Sequence, residues 1–533
     1  MIWTSFSPKA MLRVFQNDLS DPKRFIITLE LVPGRESFGQ PLDSLKGIAA
    51  DSFADGRISA VSITDNPGGH PSLSPDVIGH EVFRVGMDVI VHFACRDLNR
   101  TGMESRALQL AMMGMKNILA LTGDYTSKGF GGRGAPVFDL DSVHLLIMLR
   151  LLGERMSAWG DPDVFNAGAA ISPFKYTEGE SFAQYAKLCR KIAAGAHFVI
   201  TQLGYDVRKF LELRKMQRWL GVDVPVLASV YLLGPKAARA MNRGAIPGVF
   251  VPDELLAKIL AEWKHPKEGL DLAIERTARL AAILKGLGYR GVHLGGIHRS
   301  FKTVARILDR MEAIEDDWRE FMGEFHFGYK NGFYAFSENS SNEDALPGYN
   351  LSAPPLSLVD KGLFHFLRLL HQYFFNFRSP LAPYLEEVCR TLDRYPYGRT
   401  LATLIEGPAK NLLLDCQQCG DCGIQHVAFL CPESKCPKHI RNGACGGNRD
   451  GQCEVYPDRK CVWVRAYERW ASVNRLEEMI SGCVSPRMWE LDKTPSWLNF
   501  HLKKDHQSAS TRIAEFCRTR PCQLPKSLSR GNP

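Results

Sequence analysis

The chain has 533 residues, of which 45% are hydrophobic and 23% are charged, and its formal net charge at pH 7 is +8. These values are typical of a folded soluble protein. No stretch approaches eighteen consecutive apolar residues, and residues 1–20 lack a charged segment followed by an apolar core, so we expect neither a membrane span nor a signal peptide. We therefore expect a cytoplasmic location, in which thiols stay reduced. The basic residues between 503 and 530 predict a solvated tail and no nucleic-acid partner.

Residues 20–320 repeat one pattern, in which a short β-rich apolar run is followed by a polar loop and a helical segment. The strand candidates, in chain order, are 25–32, 58–64, 87–95, 117–123, 164–172, 197–202, 224–233 and 291–296. Amphipathic segments lie between them, for example 102–115, 181–196 and 252–263. This alternation predicts an α/β fold with a parallel (β/α)₈ barrel, a TIM barrel, over residues 1–320. A doubly wound open sheet is the alternative.

Three further regions follow the predicted barrel. Residues 321–404 are expected to form a connector that packs on the barrel, with a linker-like run at 337–355 and a helix within 358–377. Residues 405–470 form a cysteine-rich module, and we predict a helix around 463–480 after its last cysteine. The last predicted region, residues 471–533, contains a helix and the basic tail.

Eight of the fourteen cysteines fall within the cysteine-rich module. They are Cys416, Cys419, Cys422, Cys431, Cys436, Cys445, Cys453 and Cys461. In a reducing compartment such a cluster indicates metal ligands, and eight thiolates suit two four-ligand sites. The C-x2-C-x2-C opening and the two Cys-Pro pairs favour two [4Fe–4S] clusters, with structural zinc as the alternative. His426 and His439 are spare ligand candidates, and the spacing does not show which four cysteines share a site.

Polar residues recur where the predicted barrel strands end. In such barrels the functional groups gather at the C-terminal ends of the strands. In this chain the polar residues at or near the predicted strand ends are Glu30, Thr64, Asp65, His92, Asp124 and Gln202. An acid such as Glu30 in a strand buried on both sides is costly unless it has a function. The Gln202 amide can bind the donor and acceptor edge of a ring, whereas His92 is equally well explained as a core histidine.

Several segments, in the same order along the chain, resemble the methylenetetrahydrofolate reductase family. They are TLELVP (28–33), SITDNPGGHPS (62–72), VHFACRDLNR (91–100), NILALTGD (117–124), GAHFVITQLGYD (195–206) and GVFVPDEL (248–255). The resemblance implies a (β/α)₈ flavoprotein that reduces 5,10-methylenetetrahydrofolate to 5-methyltetrahydrofolate in one-carbon metabolism and methionine biosynthesis.

The resemblance also implies roles for particular residues. Glu30 matches the general acid, and a carboxyl with a raised pKa suits that task at neutral pH. Asp124 matches a catalytic acid that also binds the folate, and Gln202 matches the amide that orients the pterin. The positions that match cofactor contacts are Thr64, His92, Thr122, Gly123, Asp124 and, toward the adenylate half, Lys191.

The chain departs from the family pattern near the expected adenosine. AAISPFKYTEGE (169–180) replaces a Tyr-Pro-Glu-x-His-Pro run, and Gln184 and Lys187 stand where other members place an acid and an amide. FAD is therefore the default cofactor and FMN the alternative. NAD(P)H is a possible electron donor, although this family stacks it on the flavin without a separate fingerprint.

The cysteine-rich segment resembles a C-terminal domain that accompanies some reductases of this family. That resemblance implies iron–sulfur clusters that carry electrons to the flavin, with an electron-transfer partner protein and either a homo-oligomer or a larger redox complex. Two other functions remain open. One is a folate-binding methyl-transfer or corrinoid-partner protein with a structural zinc module, and the other is a metal-braced scaffold.

Overall fold

The computed structural model describes residues 14–160, 165–336 and 356–519. The linker-like run at 337–355 and the end of the basic tail, from residue 520, lie outside these ranges. All eight predicted strands are present, each within two residues of its predicted bounds. They are β1 Ile26–Leu31, β2 Ala60–Ile63, β3 Val89–Ala94, β4 Asn117–Leu121, β5 Asn166–Ile171, β6 Phe198–Thr201, β7 Val226–Tyr231 and β8 Gly291–Gly295.

The strands form a closed parallel barrel in the order β1-β8-β7-β6-β5-β4-β3-β2. The TIM-barrel prediction is confirmed, and the open-sheet alternative is wrong because β1 pairs with both β2 and β8. Every residue of β3, Val-Ile-Val-His-Phe-Ala, is buried, as expected for a strand covered on both faces. Phe15 packs edge-on against Phe198, with ring centroids 5.1 Å apart, in the apolar layer that fills the lower barrel.

Helices alternate with the strands and surround the barrel. Through the barrel region they are α1 Val14–Ser20, α2 Gln40–Asp55, α3 Pro75–Arg84, α4 Arg100–Met112, α5 Ser142–Ala158, α6 Glu178–Ala193, α7 Val207–Leu220, α8 Pro235–Asn242, α9 Asp253–Glu262, α10 Pro266–Gly286 and α11 Phe301–Ile314. The glycine-rich loop after β4 contains a two-stranded hairpin, Lys128–Gly129 with Gly132–Arg133. Short 3₁₀ helices cover Pro67–Gly69 and Glu315–Glu324.

The C-terminal third begins with three helices of 13 to 17 residues and continues with shorter helices and loops. The helices are α12 Leu358–Phe374, α13 Ala382–Arg394, α14 Gly398–Leu414, α15 Pro432–Lys435, α16 Val462–Ala471, α17 Ser496–His501 and α18 Arg512–Thr519, with 3₁₀ segments at Ile424–Val427, Leu476–Met479 and Trp489–Leu491. The predicted helix at 463–480 is therefore only half right. α16 ends at Ala471, and the chain then turns at Asn474, whose φ of 53° is incompatible with a continuing helix.

The connector packs on two different parts of the protein, the barrel and the cysteine-rich module. Its first part, residues 325–336, lies against the barrel at α7, where the Tyr334 hydroxyl donates to Asp206 at 2.7 Å and the Ala335 N–H donates to Glu212 at 2.6 Å. The helix α12 instead packs on the cysteine-rich module, where Phe364 meets Trp470 edge-on at 5.6 Å and Asp360 binds Arg469. The expectation that the connector packs on the barrel is wrong for α12, because its buried apolar residues find the apolar side of α16.

The module in turn packs on α6 of the barrel. Gly179 lies under Tyr467 of α16, and a Cβ at that position would stand 2.9 Å from the tyrosine ring. The Tyr467 hydroxyl donates to Glu178 at 2.7 Å. α6 thus fixes the module beside the barrel mouth. Within the described ranges, no helix is both long enough and apolar enough to cross a membrane.

Candidate functional site

A cavity of about 300 Å³ opens at the C-terminal ends of the barrel strands. Its wall includes residues from seven of the eight strands, and next to β2 it includes the loop residues Thr64 and Asp65 that follow the strand. The structure brings every predicted barrel site residue to this wall. They are Glu30, Thr64, Asp65, His92, Thr122, Gly123, Asp124, Lys191 and Gln202.

Glu30 lies near the end of β1, on the cavity wall. Burial raises the pKa of its carboxyl to about 7, in the direction that the sequence led us to expect. Gly295 on β8 leaves room for this group, since a Cβ there would stand 3.0 Å from Glu30 Oε2 and 3.2 Å from the Tyr231 ring. The carboxyl can therefore hold a proton near neutral pH.

Asp124 follows β4 and accepts a hydrogen bond of 2.9 Å from the Gly68 backbone N–H. Burial raises its pKa, and the positive charge of Lys438 opposes that shift. Lys438 donates to the Gly123 carbonyl at 2.7 Å and forms a buried ion pair with Glu454. Both partners come from the cysteine-rich module, so the module supplies part of the barrel's cavity wall.

Sequence reasoning missed Lys438 and Glu454. They lie more than 300 residues after Asp124, and nothing local marks them as barrel ligands. The one available signal is their position, two residues after Cys436 and one after Cys453, inside a segment already expected to carry chemistry.

Three buried polar atoms on the cavity wall have neither a hydrogen-bond partner nor an ion pair in the described structure. They are Thr64 Oγ1, His92 Nε2 and Ser172 Oγ. Burial lowers the pKa of His92 to about 4, which keeps its ring neutral. Buried polar atoms are normally paired, so these atoms fit a bound molecule that carries both donors and acceptors. The fused ring of a flavin is such a molecule.

Other predicted site residues are held by backbone groups. The Gln202 side-chain oxygen accepts from the Leu203 N–H at 2.9 Å, and its nitrogen faces the Pro247 carbonyl at 3.5 Å. Gly123 has a φ of 89°, and a Cβ there would lie 3.1 Å from Ala94. The loop after β4 therefore approaches β3 as closely as only glycine allows.

The helix α6 contributes a polar face to the same cavity. Lys191 donates to the Ala170 carbonyl on β5, and Lys187 donates to the Gly443 carbonyl at 3.2 Å. Gln184 donates to the Cys445 carbonyl at 2.8 Å. Gln184 and Lys187, two of the departures from the family pattern, thus bind the backbone of the cysteine-rich module.

The eight cysteines divide into two sets of four in chain order. The outer set, Cys416, Cys419, Cys422 and Cys431, lines one small cavity. The inner set, Cys436, Cys445, Cys453 and Cys461, lines a second. Cys445 also lies on the wall of the barrel cavity, so the inner set adjoins the barrel site.

The two histidines considered as spare ligands lie outside both sets. His426 faces His506, with their Nε2 atoms 3.1 Å apart, and His439 Nδ1 lies 3.0 Å from the Glu433 carbonyl oxygen. Across the described residues, the one group of three donors within 4.8 Å of one another is Asp421, Asp505 and His506. No three cysteine sulfurs of either set therefore lie within this distance of one another.

Comparison with known proteins places the chain in a family. The family model described as methylenetetrahydrofolate reductase matches residues 16–312, more than half of the chain. The chain belongs to the methylenetetrahydrofolate reductase family. A second model, described as methylene-tetrahydrofolate reductase C terminal, matches residues 395–490 and so includes both cysteine sets of this reductase-family protein.

Curated relatives of this methylenetetrahydrofolate reductase family member share only part of its length. A probable methylenetetrahydrofolate reductase (NADPH) from Caenorhabditis elegans is 26% identical over 291 residues, covering 52% of this chain and 41% of the relative. A 5,10-methylenetetrahydrofolate reductase from Pectobacterium carotovorum is 28% identical over 148 residues, covering 28% of this chain and 44% of the relative. The chain thus spans less than half the length of these relatives.

Among solved structures, one similar chain is an uncharacterised protein from Clostridium thermocellum that binds two copies of 5-methyl-5,6,7,8-tetrahydrofolic acid. It is 11% identical, with a TM-score of 0.39, and the match covers 57% of this chain and 99% of that one.

Proposed function

We propose that this chain reduces 5,10-methylenetetrahydrofolate to 5-methyltetrahydrofolate with the aid of a bound flavin. The observation that carries the proposal is Glu30, a carboxyl on the cavity wall whose pKa is raised to about 7. Asp124 and Gln202 stand on the same wall. An acid that keeps its proton at neutral pH, beside two groups able to bind a pterin, is what this reduction needs.

The residues of the barrel mouth fit a flavin ring. Thr64 and His92 have buried polar atoms that lack a partner, and Thr122 and Gly123 lie on the next strand end. We propose that these four residues hold the ring, with His92 as a neutral imidazole. When bound and reduced, the flavin supplies a hydride to the substrate carbon.

Glu30 prepares the substrate to receive that hydride. Its carboxyl gives a proton to the folate nitrogen that leaves the bridging carbon, so that the carbon–nitrogen bond breaks and an iminium forms. The iminium carbon would then be open to the hydride that a bound, reduced flavin would supply, which would complete the methyl group. The Glu30 carboxylate takes up a proton from solvent before the next turnover.

Asp124 and Gln202 are proposed to orient the folate. A carboxylate accepts hydrogen bonds from ring N–H groups, and an amide offers one donor and one acceptor side by side. Because the side-chain oxygen of Gln202 already accepts from the Leu203 N–H, its orientation is set before substrate arrives. Such preorganisation reduces the entropy cost of binding.

The two cysteine sets are proposed to hold two [4Fe–4S] clusters. Four thiolates around one zinc lie about 3.8 Å apart, since a Zn–S bond is about 2.3 Å. Among the described residues no three cysteine sulfurs come within 4.8 Å of one another, which favours the larger cluster. The inner set borders the barrel cavity through Cys445, and this supports electron entry from the module, with NAD(P)H as the other donor.

One experiment tests these proposals together. The full-length chain is purified without oxygen, its visible spectrum is recorded, and flavin, iron and zinc are measured per chain. We expect one flavin and about eight irons, as two four-iron clusters require. Zinc in place of iron would refute the cluster proposal and leave the barrel chemistry intact. Absence of flavin with tight 5-methyltetrahydrofolate binding would instead favour the methyl-transfer function.

A partner protein that delivers electrons, and assembly into a homo-oligomer or redox complex, stay predictions from the sequence. A cytoplasmic location also stays a prediction.

A further inference from the structure

The catalytic acid and two buried cations lie on opposite sides of the barrel mouth. In the closed strand order, β5 is four strands from β1 in either direction. Glu30 is on β1, whereas Lys191 binds the carbonyl of Ala170 on β5. A ligand whose reacting part lies near Glu30 can therefore place its far end against α6.

Lys187 and Lys191 are spaced one turn apart on α6, and both are buried on the cavity wall, with exposed fractions of 3% and 8%. Each ammonium donates to one backbone carbonyl, although an ammonium carries three donors. Within the described ranges no carboxylate lies within ion-pair distance of either lysine. Burial, followed by the charge of Lys187, lowers the pKa of Lys191 to about 7.

The carboxylate whose negative charge acts on both lysines is that of Asp141, which is already engaged elsewhere. Its carboxylate accepts from the backbone N–H groups of Val143 and His144 at the start of α5, and from the Asn442 N–H. Two buried cations without a paired anion are costly. A phosphate group offers the charge and the acceptor oxygens that both ammonium groups lack.

Beyond these lysines, the chain itself covers α6. The segment 443–446 of the module accepts hydrogen bonds from Lys187, Gln184 and Lys175 through its carbonyls. The fit is tight at Gly443, where φ is 106° and a Cβ would stand 2.9 Å from the Lys187 side chain. The polar face that could bind a second phosphate and its nucleoside is thus occupied by the protein's own backbone.

We infer that the flavin site of this chain accepts FMN, a flavin that ends in one phosphate, and excludes the dinucleotide FAD. Lys187 and Lys191 bind the phosphate, and segment 443–446 closes the site behind it. An adenosine half along α6 would have to break the three hydrogen bonds to that segment. It would also displace Cys445, a member of the inner cysteine set. This inference rests on the proposed flavin-dependent function.

The direct test identifies the flavin in the full-length chain purified without oxygen. Heat-released flavin is separated by chromatography and weighed by mass spectrometry, and the flavin-free chain is titrated with FMN and FAD by fluorescence quenching. We expect FMN to be released and to bind at least about tenfold more tightly than FAD, since FAD must break hydrogen bonds to fit. Release of FAD, or equal affinities, would overturn the inference and leave the proposed function standing. No binding of either flavin would overturn both.

A second test asks whether the lysines face the phosphate. Riboflavin, which lacks the phosphate, is the matched ligand. Lys187→Met and Lys191→Met should each weaken FMN binding about 10- to 100-fold, the usual range for a hydrogen bond to a charged group. Riboflavin binding should change less than about twofold, because no partner of riboflavin is removed. Lys46→Met, at an exposed lysine paired with Glu81, is the control variant.

Equal losses for FMN and riboflavin would mean that the lysines do not contact the phosphate, and would overturn the assignment. If a lysine variant fails to fold, the unsubstituted chain still decides the matter. FMN must then bind at least about tenfold more tightly than riboflavin, since two charged contacts depend on the phosphate.

Discussion

Glu30, the proposed general acid, shows how a single side chain acquires a raised pKa from its surroundings. No paired cation lowers its pKa, and burial in the barrel mouth raises it to about 7. The raised pKa requires that the neighbouring strand lie close to the carboxyl and exclude water. Gly295 allows this close approach, because it has no Cβ that would crowd the carboxyl. A glutamate on an open surface would stay ionised at neutral pH and could not act as the acid.

Glu30→Gln removes the transferable proton while keeping the size of the side chain. We expect folate reduction to slow by about 10²- to 10⁴-fold, the range for loss of a general acid. Flavin content should not change, since other residues are proposed to hold the ring. Pre-steady-state reoxidation of the reduced enzyme by 5,10-methylenetetrahydrofolate measures this step, and near-normal rates would rule out the role of Glu30.

The same assignment sets the pH dependence. The acid must be protonated to act, so the rate of reoxidation should be high below about pH 7 and fall as the pH rises through the Glu30 pKa of about 7. In Glu30→Gln this fall in rate at alkaline pH should disappear. A fall that persists in the variant would reflect the titration of another group.

Lys438 and Glu454 act on Asp124 with opposite signs. Lys438 lowers the pKa of Asp124, and Glu454 raises it. Lys438→Met should therefore move the Asp124 titration to higher pH, and Glu454→Gln should move it to lower pH. The pH dependence of 5-methyltetrahydrofolate binding measures both shifts, and the visible spectrum confirms that the adjacent cysteine set is intact. Shifts of the same sign would show that the variants act only through general disruption.

At the scale of elements, α6 is the helix that joins the two parts of the protein. One turn of it packs under α16, its middle binds segment 443–446 of the module, and its last turns face the barrel cavity. A helix that carries contacts on every side has little tolerance for added volume.

A matched pair of glycine variants tests this packing. Gly179→Ala on α6 places a Cβ 2.9 Å from the Tyr467 ring and 3.2 Å from Val464, whereas Gly47→Ala on α2 meets nothing within 4 Å. Overpacking costs about 1–3 kcal/mol, so Gly179→Ala should lower the free energy of unfolding. Gly47→Ala should raise it by about 0.5–1 kcal/mol through helix propensity. Thermal unfolding measures both, and equal effects would argue against a tight α6–α16 contact.

At the scale of the whole molecule, the two cysteine sets are unequal in position. The inner set touches the barrel cavity through Cys445, and the outer set is walled by α14 and α17 residues such as Glu406 and Ser496. Electrons that enter through the outer set would meet the inner set before the flavin. The order along the chain is thus also the proposed order of electron flow.

Serine substitutions separate the two sets. Cys419→Ser should remove about half of the iron, since one of two clusters is lost, and leave flavin content unchanged. Cys445→Ser should also remove about half of the iron, but should weaken flavin binding because Cys445 lies on the shared wall. Iron and flavin assays on both variants decide this. Equal flavin content in the two variants would contradict the arrangement.

The barrel was predictable from sequence because its cause is local and repeated. Each strand is a short apolar run and each helix an amphipathic one, so eight strands could be located within two residues. The same rule placed Glu30, Asp124 and Gln202 at one rim, because strand ends in a parallel barrel share one face. The predicted helix at 463–480 is longer than α16, because the chain turns at Asn474, whose positive φ has no strong local signal in the sequence.

What the sequence by itself determined, then, is the barrel, the residues of its mouth and the presence of eight clustered cysteines. Only the tertiary structure decided that Cys436, Cys445, Cys453 and Cys461 form the set next to the barrel, that Lys438 and Glu454 enter its cavity, and that segment 443–446 covers Gln184 and Lys187. Periodicity reports how a segment buries its own apolar face. Periodicity carries no information on which distant loop covers a polar face of a helix. That depends on how two surfaces that are far apart in the sequence fit together.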